Sequence, residues 1–175
     1  MEISKSQEFA MSLSRKNARD FLVKIQKTKK NRDIDAGILD AVLEDRKNVL
    51  DLNILVCLDV SGSISRQQFT QFMAQIDAIK GLSRVKVLEV DTKIVAFYDY
   101  FKASQSKIAR LRGGGGTEFS EAFAKAKQIK PDAILFMTDG YVAGNINDPG
   151  IPTGWILTND GVKPYNWGEV VVKLD

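Results

Sequence analysis

Ile54-Leu55-Val56-Cys57-Leu58-Asp59-Val60-Ser61-Gly62-Ser63 is the stretch whose reading decides the fold: five apolar residues without a break, then an acid and two hydroxyls at alternate positions. An unbroken apolar run bounded by polar residues reads as a strand buried on both faces, the environment of a parallel sheet covered by helices. Directly after it, Ser65-Arg66-Gln67-Gln68 has capping-box spacing, with Ser65 set to cap a helix and Gln68 to bond back, while Ile64 and Phe69 hold the two staple positions. The chain is therefore expected to run strand, short polar loop, helix. In open α/β sheets that junction, at the carboxyl edge of a strand, is where ligands bind. Asp59, Ser61 and Ser63 are hard oxygen donors of the kind that suits a magnesium-like cation.

Downstream of this stretch, residues 65–80 present Phe69, Phe72, Met73, Ile76 and Ile79 at helical spacing, with Gly81 as the expected C-cap. Residues 84–90 alternate as a strand does, and Ile94-Val95-Ala96-Phe97-Tyr98 follows after the turn Asp91-Thr92-Lys93, so a hairpin is predicted. Residues 104–111 read as a short helix. Then come Gly113-Gly114-Gly115-Gly116-Thr117, a run whose glycines permit close backbone approach and bring Thr117 into a crowded site. Thr117 is also placed to cap a helix over 118–130, which packs through Phe119, Ala122, Phe123, Ala126 and Ile129 and stops at Pro131. A second continuous apolar strand, Ala133-Ile134-Leu135-Phe136-Met137, again ends in polar residues, Thr138-Asp139-Gly140. Trp155-Ile156-Leu157-Thr158 and Val170-Val171-Val172 supply two more strands, the last an edge.

Upstream, Phe9, Leu13, Phe21, Leu22 and Ile25 follow helical spacing within 6–29, and Ile34, Ile38, Leu39, Val42 and Leu43 do so again. The pattern predicts a doubly wound, Rossmann-like α/β fold, with a mostly parallel sheet, helices on both faces and an N-terminal helical extension. The expected division is a helical segment over 1–50, basic at 1–32, followed by the motif-bearing domain over 51–175.

Composition narrows the chemistry. At 175 residues, 44% hydrophobic and 27% charged, the chain is sized and composed for one domain with a substantial core. No apolar run reaches the roughly 18–20 residues that span a bilayer, and the polar amino terminus lacks the apolar core of a secretory signal. With the single Cys57 in a predicted buried strand, a cytoplasmic location is expected. The absence of histidine removes Ser-His-Asp and Cys-His nucleophile systems, HExxH peptidase sites and the usual zinc sets. The net charge of +3 is uneven: residues 1–32 hold nine Lys/Arg against three acids. That arm reads as a solvated helical face rather than a nucleic-acid site, since few aromatics interleave with the charges.

Three separate segments thus aim oxygen ligands at one edge: Asp59, Ser61 and Ser63, then Thr117, then Asp139. In this order and at these strand ends the set resembles the metal-ion-dependent adhesion site of von Willebrand factor A (VWA) domains. The resemblance covers about residues 53–175. It looks closest to the VWA-like domain found at the carboxyl end of predicted metallopeptidase-like proteins, on the wording Leu58-Asp59-Val60-Ser61-Gly62-Ser63-Ile64-Ser65, Gly113 to Phe119, Thr138-Asp139-Gly140 and Pro152-Thr153-Gly154-Trp155-Ile156-Leu157-Thr158.

The resemblance implies that Ser61 and Ser63 bind a divalent cation directly, Mg²⁺ or else Mn²⁺ or Ca²⁺. It implies that Thr117 joins them directly or through water, while Asp59 and Asp139 hold coordinated waters. Neutral hydroxyls leave the ion electron-poor. In such domains a partner protein's Asp or Glu fills the remaining position, and intracellular members often accompany MoxR-type AAA+ ATPases. Glu118 stands where the family's threonine loop often continues with Asp, and it and Asp91 are candidates for the rim. The histidine-bearing metal motif of the two-part relatives has no counterpart here, so peptidase activity is not carried over, and the chain reads as a stand-alone module or a piece of a longer one. The competing functions are a metal-dependent hydrolase acting on phosphate, with Asp59 as nucleophile, or associated with peptide hydrolysis, and nucleic-acid binding by the basic arm.

Overall fold

The computed structural model describes residues 5–30, 52–81, 83–100 and 116–175, with side chains of the first helix from 16 to 29. The predicted helices at 34–43 and 104–111, and Gly113 to Gly115, lie outside the described residues. In chain order the described elements are α1 (Lys5–Lys30), β1 (Asn53–Asp59), α2 (Arg66–Ile79), β2 (Arg84–Val90), β3 (Ile94–Asp99), α3 (Ser120–Ile129), β4 (Ala133–Thr138), β5 (Thr153–Leu157) and β6 (Glu169–Lys173).

The strands form one six-stranded sheet in the order β3-β2-β1-β4-β5-β6. All neighbours are parallel except β2 and β3, which form the predicted antiparallel hairpin. Val56 at the centre of β1 lies opposite Val87 on one side and Leu135 on the other. Strand order reverses between β1 and β4, so the carboxyl ends of these two strands flank the crevice where open α/β sheets take their ligands.

The unbroken apolar runs of β1 and β4 are explained by cover on both faces. Alternate β1 residues Ile54, Val56 and Leu58 join a core with Ala18, Phe21 and Leu22 of α1 and with Phe69, Phe72, Ile76 and Ile79 of α2. Leu55 and Cys57 point the other way, into a core with Ala122, Phe123 and Ala126 of α3 and with Phe136 and Trp155. This second core is aromatic: Tyr165 stacks on Trp167 at 5.1 Å, and Phe123 meets Trp167 edge-on at 5.2 Å. Each large side chain buried this way contributes about 1.5–3 kcal/mol. Gly154 in β5 leaves room for α1, since a Cβ there would lie 2.6 Å from Val171 Cγ2 and 3.1 Å from Phe21 Cε1.

The capping box of α2 is present: Gln68 N donates to Ser65 Oγ at 3.2 Å, and Ser65 N to Gln68 Oε1 at 2.8 Å. Two helix ends differ from expectation. The C-cap of α2 is Lys80 in a right-handed conformation, not Gly81, because Lys80 N and Ser83 N continue bonding to Ile76 O and Ile79 O and no left-handed residue is needed. The N-cap of α3 is Phe119, without a side-chain cap, rather than Thr117. Thr117 is held away from the helix start by its carbonyl, which accepts from Ala143 N at 2.8 Å. Among the described residues no helix is long and apolar enough to cross a membrane.

Candidate functional site

Asp59 is the last residue of β1 and is fully buried. Its Oδ1 accepts from Ser61 N at 2.9 Å, the bond that folds the Asp59-Val60-Ser61 turn off the strand end. Its Oδ2 accepts from Thr138 Oγ1 at 2.6 Å, across to the end of the neighbouring strand β4. The turn also brings the Ser61 and Ser63 hydroxyls together, 3.1 Å apart. Asp139, one residue beyond β4, is nearly buried, and its Oδ1 accepts from Tyr141 N at 3.1 Å.

Burial pushes the Asp59 carboxyl above the usual carboxylate range. Hydrogen bonds from Ser61 and Thr138 pull it back, and the negative charge of Asp139 raises it again. Asp59 and Asp139, 80 positions apart in sequence, are thus close enough to feel each other.

Thr117 is buried and tethered on both sides. Its carbonyl takes the Ala143 amide from the loop after β4, and the next amide, Glu118 N, donates to Asp91 O at the end of β2 at 3.0 Å. Both rim candidates use their carboxylates locally. Asp91 Oδ1 accepts from Lys93 N at 3.1 Å and from Thr92 N, closing the hairpin turn. Glu118 Oε1 accepts from Ser120 N at 2.8 Å and from the Ser120 hydroxyl, covering the start of α3.

Sequence reasoning passed over Thr138 as a site residue. Its hydroxyl donates to Asp59 and accepts from Gly140 N at 2.9 Å, so one side chain joins both strand ends. The available signal was its place directly before Asp139 at a strand end. Gly140 is required next to it: at φ +79° a Cβ would lie 1.6 Å from Val162 O. That close approach lets Val162 N donate to Asp139 O at 2.8 Å, so the loop after β5 braces the segment that carries Asp139.

The donor set fits a hard cation. Ligands at right angles around Mg²⁺, each about 2.1 Å away, stand about 3 Å from one another, and the Ser61 and Ser63 oxygens are 3.1 Å apart. Among the described residues no group of three or more His, Cys, Asp and Glu is assembled.

No curated protein matches the chain. Among solved structures it is similar to an aerotolerance-related membrane protein from Bacteroides fragilis NCTC 9343, crystallised with multiple mutations to serines, at 13% identity and a TM-score of 0.39, over 61% of this chain and 67% of that one. A family model described as a VWA-like domain (DUF2201) matches residues 54–175, from β1 through β6. The match takes in Asp59, Ser61, Ser63, Thr117 and Asp139 and most of the chain's length, and the chain belongs to that VWA-like family.

Proposed function

We propose that this chain is a protein-interaction module that holds a divalent cation at the carboxyl edge of its sheet and uses it to dock an acidic group of a partner protein. Ser61 and Ser63 would hold the ion through their hydroxyls, Thr117 directly or through water, and Asp59 and Asp139 through coordinated waters. The ion is Mg²⁺ in first place, with Mn²⁺ or Ca²⁺ as alternatives. When bound it supplies a positive centre with a position open to a carboxylate from outside.

The observation that carries the reading is the buried Asp59 carboxylate, bonded to both the Ser61 turn and Thr138 while Asp139 lies close by. Two neighbouring acids with little access to water are costly alone and gain from a cation between or beside them. Membership of the VWA-like family supports the coarser part, a module built for interaction. An Asp or Glu is the chemistry expected of the partner, and a MoxR-type AAA+ ATPase is the candidate that the resemblance supplies.

Calorimetry with Mg²⁺ and Mn²⁺ on the wild type and on Ser61→Ala tests the metal step. Saturable binding to the wild type that weakens in the variant supports it, and equal or absent binding in both rejects it. Docking is tested by affinity capture with and without EDTA and with Asp139→Ala. A partner retained under all three conditions would leave the site without the proposed role.

A further inference from the structure

At the opposite edge of the sheet, where β1 and β2 begin and β3 ends, a cavity of about 690 Å³ opens between the carboxyl ends of α2 and α3. That volume falls within the roughly 300–1,000 Å³ of small-molecule sites. Part of its lining is apolar, from Ile54, Val85, Ile129 and Pro131, with the Tyr100 ring beside them. Among the described residues the lining holds four cations, Lys80, Arg84, Lys86 and Lys130, against the single carboxylate of Asp99.

Ordinary folding accounts for part of this charge. Lys80 pairs with Asp77 at 2.5 Å and Lys86 with Asp99 at 2.7 Å. Lys80 and Lys130 also stand at helix carboxyl ends, where cations are favoured. Arg84 and Lys86 lie on β2, where no helix end explains them, and Arg84 Nε donates to Asn53 Oδ1 at 2.8 Å, which fixes the guanidinium at the mouth of β1.

Lys130 adds a further feature to the wall. Lys130 has no ion pair among the described residues, and its left-handed φ of 54° is that of the residue ending α3, whose N–H donates to Ala126 O.

We propose that this cavity binds a small phosphate ester carrying a compact apolar or aromatic group. A phosphate monoester brings up to two negative charges and three acceptor oxygens, enough to engage several of the four cations together. Its apolar body rests on Ile54, Val85, Ile129 and Pro131. This site is independent of the metal reading, because it shares no residue with the carboxyl edge.

The test uses the full chain in EDTA, with phenyl phosphate, inorganic phosphate and phenol as probes, read by calorimetry and by amide chemical shifts. Phenyl phosphate is expected to bind saturably and to move the amides of Ser83, Arg84 and Lys130. Inorganic phosphate should move the same amides more weakly, and phenol should leave them in place. Arg84→Gln should weaken phenyl phosphate binding about ten-fold. Lys130→Gly removes a charge and relieves the left-handed backbone, so it should fold at least as stably and still bind more weakly, which separates lost binding from lost folding. Ser61→Ala should bind as the wild type does. Shifts scattered over surface lysines without saturation, phenol binding as tight as phenyl phosphate, or wild-type affinity in both cavity variants would overturn the proposal.

Discussion

Thr138 shows how much one hydroxyl can hold at this site. It donates to Asp59 Oδ2 and accepts from Gly140 N, both in a buried setting. Thr138→Val keeps the shape and removes both bonds, so it should cost about 1–3 kcal/mol in urea unfolding and also weaken Mg²⁺ binding. A variant as stable as the wild type would show that the bridge is dispensable. Cys57 is the opposite case, a buried thiol with a purely apolar role. Burial pushes its pKa well above the ordinary thiol range, so the folded chain keeps it protonated while the unfolded chain ionises it above about pH 8.5. The stability that goes with the protonated thiol is fully present below that pH. It is lost as pH rises toward the folded value, at up to about 1.4 kcal/mol per pH unit. The alkaline slope of stability should therefore flatten in Cys57→Ala, whatever the absolute loss from its cavity. Identical slopes in the two proteins would refute the assignment.

Among the elements, α1 takes the largest part that local sequence left open. Ala18, Phe21 and Leu22 are buried in the same core as the central strands, and Lys24 and Lys29 pair with Glu169 and Asp132, each at 3.0 Å. The exposed Lys24 pair contributes little, so the apolar face carries the docking. Leu22→Ala should destabilise the whole domain by about 2–5 kcal/mol in a single unfolding transition. An unchanged denaturation midpoint, or a separate early transition, would mean that α1 is an appendage.

For the molecule as a whole, the carboxyl edge of the sheet gathers Asp59, Ser61, Ser63, Asp139 and the tethered Thr117 from parts of the chain that meet only in the folded state. A cation that binds there binds the native state alone. Mg²⁺ at one hundred times its dissociation constant should then add about 2.7 kcal/mol of stability, visible as a higher midpoint that EDTA reverses and Ser61→Ala abolishes. A wild-type midpoint indifferent to Mg²⁺ would remove the metal from the account. Much was legible beforehand. The apolar runs at β1 and β4, the alternation at β2, and Ser65 with Gln68 are local signals, because burial on both faces, strand pleat and helix capping act within a few residues. The start of α3 was less legible, since Thr117 has the chemistry of a cap and long-range bonds, from Ala143 N to its carbonyl and from Glu118 N to Asp91 O, draw it elsewhere. By itself the sequence determined which segments are strands and helices, and which ends carry oxygen donors. Only the tertiary structure decided that β4 lies beside β1, that Thr138 spans 79 positions to reach Asp59, and that four cations line one cavity at the far edge. Strand order is settled by packing between surfaces distant in the chain, and no local pattern records it.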